Sequence, residues 1–390
     1  MKLATLIVSA GWHRRRWCPV TAQVRLDPDV DLDALVLRDV STDTPLAVQA
    51  WREEDGLVSL AWVVADIPAH QTRAYELRRT EGAPLHGPGV ELREEGSGRL
   101  AVYVSGEHLT TYNYGPDVVR PYLYPVLAHS GIGVTRNWPM ATDVLNETTD
   151  HPHHKGIYTA QGDVNGVDNW SESLGHGYQV HREFSRVYSG PVAGGFTEAL
   201  DWTDAERTPN MTETRRLTFY ATPSRLRALD YEIALHATQG QVVLGDTKEG
   251  GLLSVRVATS MDATGDPQAG RFVNGYGGVL EKECWGKPAP WCDYSGPAGG
   301  AWVGVAFLDH VSNPRYPTYW HVRNYGLMTA NPFGLHDYTG DPNQRADLTI
   351  PEGETARWRY RVILHDGDAE HAQIAERYID FAFPPAVTVE

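Results

Sequence analysis

Apolar and polar residues alternate with period two over many short stretches of the chain, the pattern of half-buried strands. Segments 3–9, 21–26, 45–51 and 57–64 show it in the first part of the chain. Segments 100–105, 214–220, 226–236, 241–245, 252–260, 301–308 and 356–364 continue it. In the last of these, Arg357, Arg359 and Arg361 alternate with Trp358, Tyr360 and Val362, which predicts arginines on one sheet face and apolar rings on the other. One helical period stands out, near the end. Ala372, Ala375, Tyr378, Ile379 and Ala382 form an apolar stripe that Asp366 or Asp368 could cap.

Fifteen to twenty strands and one helix predict a mainly β protein, a large two-sheet antiparallel sandwich with a C-terminal helix. A supersandwich of the galactose mutarotase type is the preferred architecture and a jelly roll the second. A stretch rich in glycine and proline, residues 79–89, marks the expected boundary. Residues 1–85 then form a small N-terminal β unit packed on a main sandwich domain, 86–390, that carries the site.

Composition agrees with this picture: 38 Gly, 25 Pro, 12 Trp and 19 Tyr suit short strands, tight turns and aromatic surfaces. The net charge of −16 argues against a nucleic-acid partner, because a phosphate backbone would be repelled. Abundant rings and carboxylates suit a small saccharide instead. No apolar stretch is long enough to span a bilayer, so no membrane partner is expected. The short apolar run after Lys2 leads into Gly11-Trp12-His13-Arg14 rather than a small-residue cleavage site, and reads as a strand. Cys18, Cys284 and Cys292 have no metal-binding spacing and suggest a reduced, cytoplasmic protein. A homo-oligomer is compatible with everything above.

The densest chemistry is Asp150-His151-Pro152-His153-His154-Lys155. If this run is extended, His151, His153 and Lys155 share one face and His154 takes the other. Pro152 cannot donate to a ladder, which places the run at a sheet edge or a strand entrance. Three imidazoles can act as acid and base near neutral pH. A divalent metal is the other use of His-x-His, with His151 and His153 as its ligands, although no further ligand can be picked out.

Other motifs surround this run in sequence. Arg120 and Tyr122 could present a guanidinium fork beside a ring. Asp163, Asn165, Asp168 and Asn169 read as a turn cluster, and Trp170 before Glu172 as a stacking platform beside a carboxylate. Glu249 stands among glycines as a candidate general base. Arg256 faces away from Val255 and Val257 and, if buried, needs an acid, with Glu249 or Asp246 available. In the stretch 320–326, Trp320, Val322 and Asn324 share one face and His321, Arg323 and Tyr325 the other; Asn331 follows shortly after.

These elements together resemble a family of bacterial proteins labelled PmoA-like, after a methane oxygenase subunit. The resemblance rests on Arg120-Pro121-Tyr122, the run Asp150 to Gly156, Gly162 to Gly166, Gly245 to Gly250, the stretch 320–334, and, near the start, Ala10-Gly11 and Cys18-Pro19-Val20. A membrane oxygenase subunit needs several apolar spans that this chain lacks. What the resemblance implies is a saccharide-catabolism context, including an enzyme acting on oxidised, 3-keto glycosides. Such a lyase or hydrolase needs a base, an acid for the leaving group and a cation for the enolate. The expected catalytic residues are His153, His154, Lys155, Glu249 and His321. The expected substrate-binding residues are Arg120, Tyr122, Asp150, Trp170, Arg256, Trp320, Arg323 and Asn331. An aldose epimerase or mutarotase, or a non-catalytic sugar-binding protein, is the alternative; the latter needs the rings but not the histidines.

Overall fold

The computed structural model describes residues 1–80, 89–222, 226–265 and 269–390. Two antiparallel sheets of nine and eight strands enclose the main hydrophobic core, so the expected two-sheet sandwich is observed. The nine-stranded sheet runs from Lys287–Pro288 through Tyr319–Val322, Leu327–Ala330, Gly250–Arg256, Ile157–Gln161, Tyr122–Val126, Glu107–Asn113 and Arg99–Val104 to Val90–Gly96. The alternation of side chains divides its faces. Leu123, Ile157, Val255 and Met328 enter the core, whereas Tyr158 and Leu327 belong to a small cluster with Trp170 on the opposite face. Pairing of Tyr122 with Tyr158 and of Tyr158 with Ser254 keeps that outer face in register.

The eight-stranded sheet shows the predicted arginine alternation. In Thr355–Asp366, Trp358, Tyr360, Val362 and Leu364 lie in the main core. Arg361 turns outward and meets Asp230 at 2.6 Å. Burial of each such apolar side chain contributes on the order of 1.5–3 kcal/mol. The C-terminal helix, Ile374–Ala382, covers Ile363 and Leu308 on this outer face.

A separate cluster, including Leu6, Leu37, Leu60, Trp62 and Leu77, holds the N-terminal strands together. Its five-stranded sheet includes Ala386–Val389, which pairs antiparallel with Lys2–Ser9. Residues 81–88, where the domain boundary was expected, lie outside the described residues. All three cysteines are buried as free thiols. Among the described residues no helix is long and apolar enough to cross a membrane.

Three details differ from expectation. Among the described residues the strands number 27, because pieces as short as Lys287–Pro288 are too brief to display a period. Two five-residue helices, Leu280–Cys284 and Leu335–Thr339, are likewise too short for a helical repeat to show. The C-terminal helix buries Tyr378 and Ala382 as expected, with Ala372 just ahead of it and Ile379 packed alongside, but Ala375 is exposed and Ile374, Arg377 and Phe381 complete the buried face. Gln373, in a left-handed conformation at φ 56°, starts this helix without a side-chain cap. Asp368 instead caps the preceding turn through the His371 N–H.

Candidate active site

The histidine run is a turn, not an extended segment. The His154 N–H bonds back to the His151 carbonyl at 3.1 Å, and His151 sits in the left-handed region at φ 47°. Pro152 suits such a turn because its φ is already fixed. The run then enters Ile157–Gln161, a central strand rather than an edge. Gly156 makes the entry possible: a Cβ there would lie 2.0 Å from the Leu123 carbonyl oxygen.

Folding back stacks the imidazoles instead of alternating them. His151 and His154 lie parallel with ring centroids 4.8 Å apart, and Tyr325 stacks on the other face of His151 at 5.1 Å. His153 meets His154 edge-on at 4.4 Å. Below them, His154 packs against Tyr158 and Trp170. His154 Nε2, Tyr158 Oη and Trp170 Nε1 are buried without a hydrogen-bond partner among the described residues. Such atoms are rare in native proteins, and here three converge under one surface.

Asp150 ties the turn to the sheet. Its Oδ1 accepts from Arg136 at 2.6 Å and from Arg256 at 2.8 Å, and its Oδ2 lies 2.8 Å from His151 Nδ1. Arg256 is fully buried and does take an acidic partner, but that partner is Asp150, not Glu249 or Asp246. Asp246 is taken by His336 and the Ala346 N–H. Arg136, also buried, donates further to the Asp150 and His151 carbonyls. It was not singled out from the sequence. Its one signal is that, histidine aside, it is the lone charged residue between Arg120 and Asp143.

Lys155 meets Glu172 through both carboxylate oxygens, at 2.8 and 2.7 Å. Arg120 is buried and spends its fork on the carbonyls of His153 and Trp170, with Glu172 at 3.4 Å. It positions the turn rather than offering a free fork. Trp170 is buried beneath the imidazoles and is not an exposed platform. Asp168 accepts from the Trp170 and Ser171 N–H groups, as a turn residue does.

The more distant candidates separate. Trp320 faces the core, with its indole N–H on the Ala289 carbonyl, which removes it from any surface. Asn331 is wholly buried; it donates to the Thr247 and Lys248 carbonyls and accepts from Phe333 N–H, so it secures the neighbouring loop. His321 lies on the outer face but is buried, its Nδ1 accepting from Trp285 at 3.0 Å. Arg323 is part-exposed between Glu281 and the Tyr325 ring. Glu249 is exposed near Lys248, and its charge is felt at Tyr325 together with that of Asp150. Tyr122 is half-buried beside the Tyr158–Trp170 cluster. Among the described residues no group of three His, Cys, Asp or Glu side chains is arranged to hold a metal ion, so His151 and His153 find no third ligand.

Electrostatics sorts the histidines. Burial, reinforced by Arg120 and His151, pushes His153 down to about 3. Burial also holds His154 well below its ordinary range, with His153 and Arg256 adding to the effect. Both are neutral near pH 7. Burial would raise Asp150, but Arg256 and His151 outweigh it and keep the carboxyl below its usual value. Asp262, buried close to Arg256, is pushed up to about 7. The pair that reaches solvent is Asp150 and His151, with side chains 42% and 41% exposed.

A family model described as a family of unknown function (DUF6807) matches residues 99–379, which contain every residue of this site. No curated protein matches the chain. Among solved structures it is similar to a protein in the glycosyl hydrolase family 38 from Enterococcus faecalis, at 8% identity and a TM-score of 0.47, covering 99% of this chain and 47% of that one. It is similar to an alpha-mannosidase from Enterococcus faecalis V583 at 9% identity and the same TM-score of 0.47, covering 99% and 46%. The chain thus spans about half the length of these two proteins.

Proposed function

The chain belongs to the DUF6807 family, a family of unknown function, and we propose that it is an acid–base enzyme acting on a saccharide at Asp150 and His151. One observation carries this reading: a solvent-reaching imidazole is held by a carboxylate at one edge and by parallel rings on both faces. An ionised carboxylate only accepts, so His151 Nδ1 carries the hydrogen and Nε2 is free to take a proton. Two arginines on the same carboxylate keep it ionised, which fixes the tautomer.

The surroundings support a sugar. Lys155, Glu172, Glu249 and Arg323 supply donors and acceptors for hydroxyl groups. The resemblance to PmoA-like sequences agrees with a saccharide-catabolism setting. The substrate that best uses a lone base is a 3-keto glycoside, since the ketone acidifies the neighbouring C2–H. His151 Nε2 removes that proton, and the electron pair moves into an enolate. Collapse of the enolate forms the C1=C2 bond and breaks the C1–O bond. The C3 carbonyl re-forms and the aglycone departs as an alcohol, taking the proton that His151 removed. Arg323 is the cation available to the enolate oxygen.

The test compares 3-keto glycosides with their unoxidised parents. Wild-type protein should release the aglycone from the former only. His151→Asn tolerates the left-handed backbone and can still donate to Asp150. It should fold normally yet lose on the order of 10²–10⁴ in rate. No turnover of any keto glycoside by wild type, or full activity in His151→Asn, overturns the proposal.

A further inference from the structure

The eight-stranded sheet carries separate chemistry on the face turned away from the core. In Trp291–Ala298, Cys292 and Tyr294 enter the core, so Trp291, Asp293 and Ser295 point outward. Ser295, Gly304 and His365 form one row across three strands. A Cβ on Gly304 would lie 2.4 Å from the His365 ring. Its absence lets the imidazole lie across the row and reach Asp293, with Nε2 2.6 Å from Oδ2. Both residues are buried, yet Asp293 Oδ1 has no partner among the described residues. A buried acceptor left in this state costs free energy unless a donor arrives from outside.

Asp293 lines a cavity of about 640 Å³, a volume suited to a small molecule. Trp291 supplies an aromatic wall. Toward the C-terminal helix the lining includes Asp368, Glu370 and Glu376, all exposed, against a single cation among the described residues, Arg271. This excess of carboxylates disfavours an anionic ligand. The carboxylates do not converge as metal ligands. A protonated amine fits these features: its charge answers Asp293 and the exposed carboxylates, and its carbon skeleton lies on Trp291.

We infer that this cavity binds a small organic primary amine, on the opposite side of the sandwich from His151. Calorimetric titration of the purified protein with 1,4-diaminobutane, glucosamine, glucose and inorganic phosphate tests it. The two amines should bind, and glucose and phosphate should not. Asp293→Asn should weaken amine binding about tenfold or more. Because that change also deprives His365 of its partner, the double variant Glu370→Gln with Glu376→Gln provides a second measure. It should fold as wild type and bind the amines severalfold more weakly, with the difference shrinking at high salt. Absence of binding by both amines, equal affinity for glucose and glucosamine, or unchanged amine affinity in the double variant overturns the assignment.

Discussion

Asp150 and His151 are neighbours in sequence whose side chains face each other, Oδ2 to Nδ1 at 2.8 Å. The left-handed backbone at His151 lets the chain fold back on itself here. The second carboxylate oxygen is claimed by Arg136 and Arg256, which fixes the carboxylate before any substrate arrives. In the proposed role, a base oriented this way needs no rearrangement to act, the condition under which positioned groups are most effective.

Replacing Asp150 should therefore damage stability as well as activity. Arg136 and Arg256 are both fully buried, and Asp150 is the carboxylate they share. Asp150→Asn leaves two buried guanidinium groups without the carboxylate they share. The cost should be on the order of 2–3 kcal/mol, below that of a fully buried pair because Asp150 itself is partly solvated. Urea denaturation of the variant measures it, and a loss under about 0.5 kcal/mol would show that the arginines do not depend on this carboxylate.

Glu172 should matter more than its partner Lys155. Glu172 also lies 3.4 Å from the buried Arg120, whereas among the described residues Lys155 is bound to Glu172 alone. Glu172→Gln should cost about 1–2 kcal/mol and Lys155→Met about 0–1 kcal/mol. The order of the two, read from melting curves at fixed salt, is the check. A larger loss for Lys155→Met would place the anchoring role elsewhere.

Stability should fall as pH drops below neutrality. His153 and His321 are each pushed down to about 3 by burial, and His154 well below its ordinary range. Their unfolded counterparts titrate near the ordinary value of about 6.5, so unfolding takes up protons. The stability is complete above that value and is lost as pH falls toward about 3. Each proton taken up contributes a slope of about 1.4 kcal/mol per pH unit. His365, raised by Asp293 despite its burial, works in the opposite sense, as do Asp262 and Asp309, each pushed up to about 7 by burial: their contribution is present at low pH and lost as pH rises. The histidines outweigh them once the unfolded imidazoles are mostly protonated, so unfolding free energies measured between about pH 6 and about pH 5 should show net proton uptake, and His154→Phe should reduce it by about one proton.

What the sequence made legible was whatever is local. The alternation in Thr355–Asp366 appears directly in the fold, because strand parity depends only on neighbouring residues. The histidine run was conspicuous for the same reason. The partners that organise it were not, since Arg136 and Arg256 are 14 and 106 residues from Asp150 and meet it only through the sheet. Trp170 and Trp320 look alike as aromatic residues beside polar ones, yet both are buried. For Trp320 the parity it shares with Val322 pointed to the core, and the neighbouring histidine and arginine drew attention to the wrong face.

Gly304 offers the sharpest test of how the second cavity is built. A Cβ at this position would lie 2.4 Å from His365 Cε1, 2.6 Å from its Nε2 and 2.8 Å from the Ser295 Cβ. The backbone of a central strand cannot retreat, so the imidazole must swing away and release Asp293. Gly304→Ala should cost about 1–3 kcal/mol through overpacking. It should also abolish amine binding at the cavity while leaving reactions at His151 unchanged, because the sandwich core separates the two faces. Paired measurements on one preparation, melting temperature and amine titration beside turnover, distinguish this from general unfolding: a folded variant that still binds the amine would show that His365 does not hold Asp293 in place.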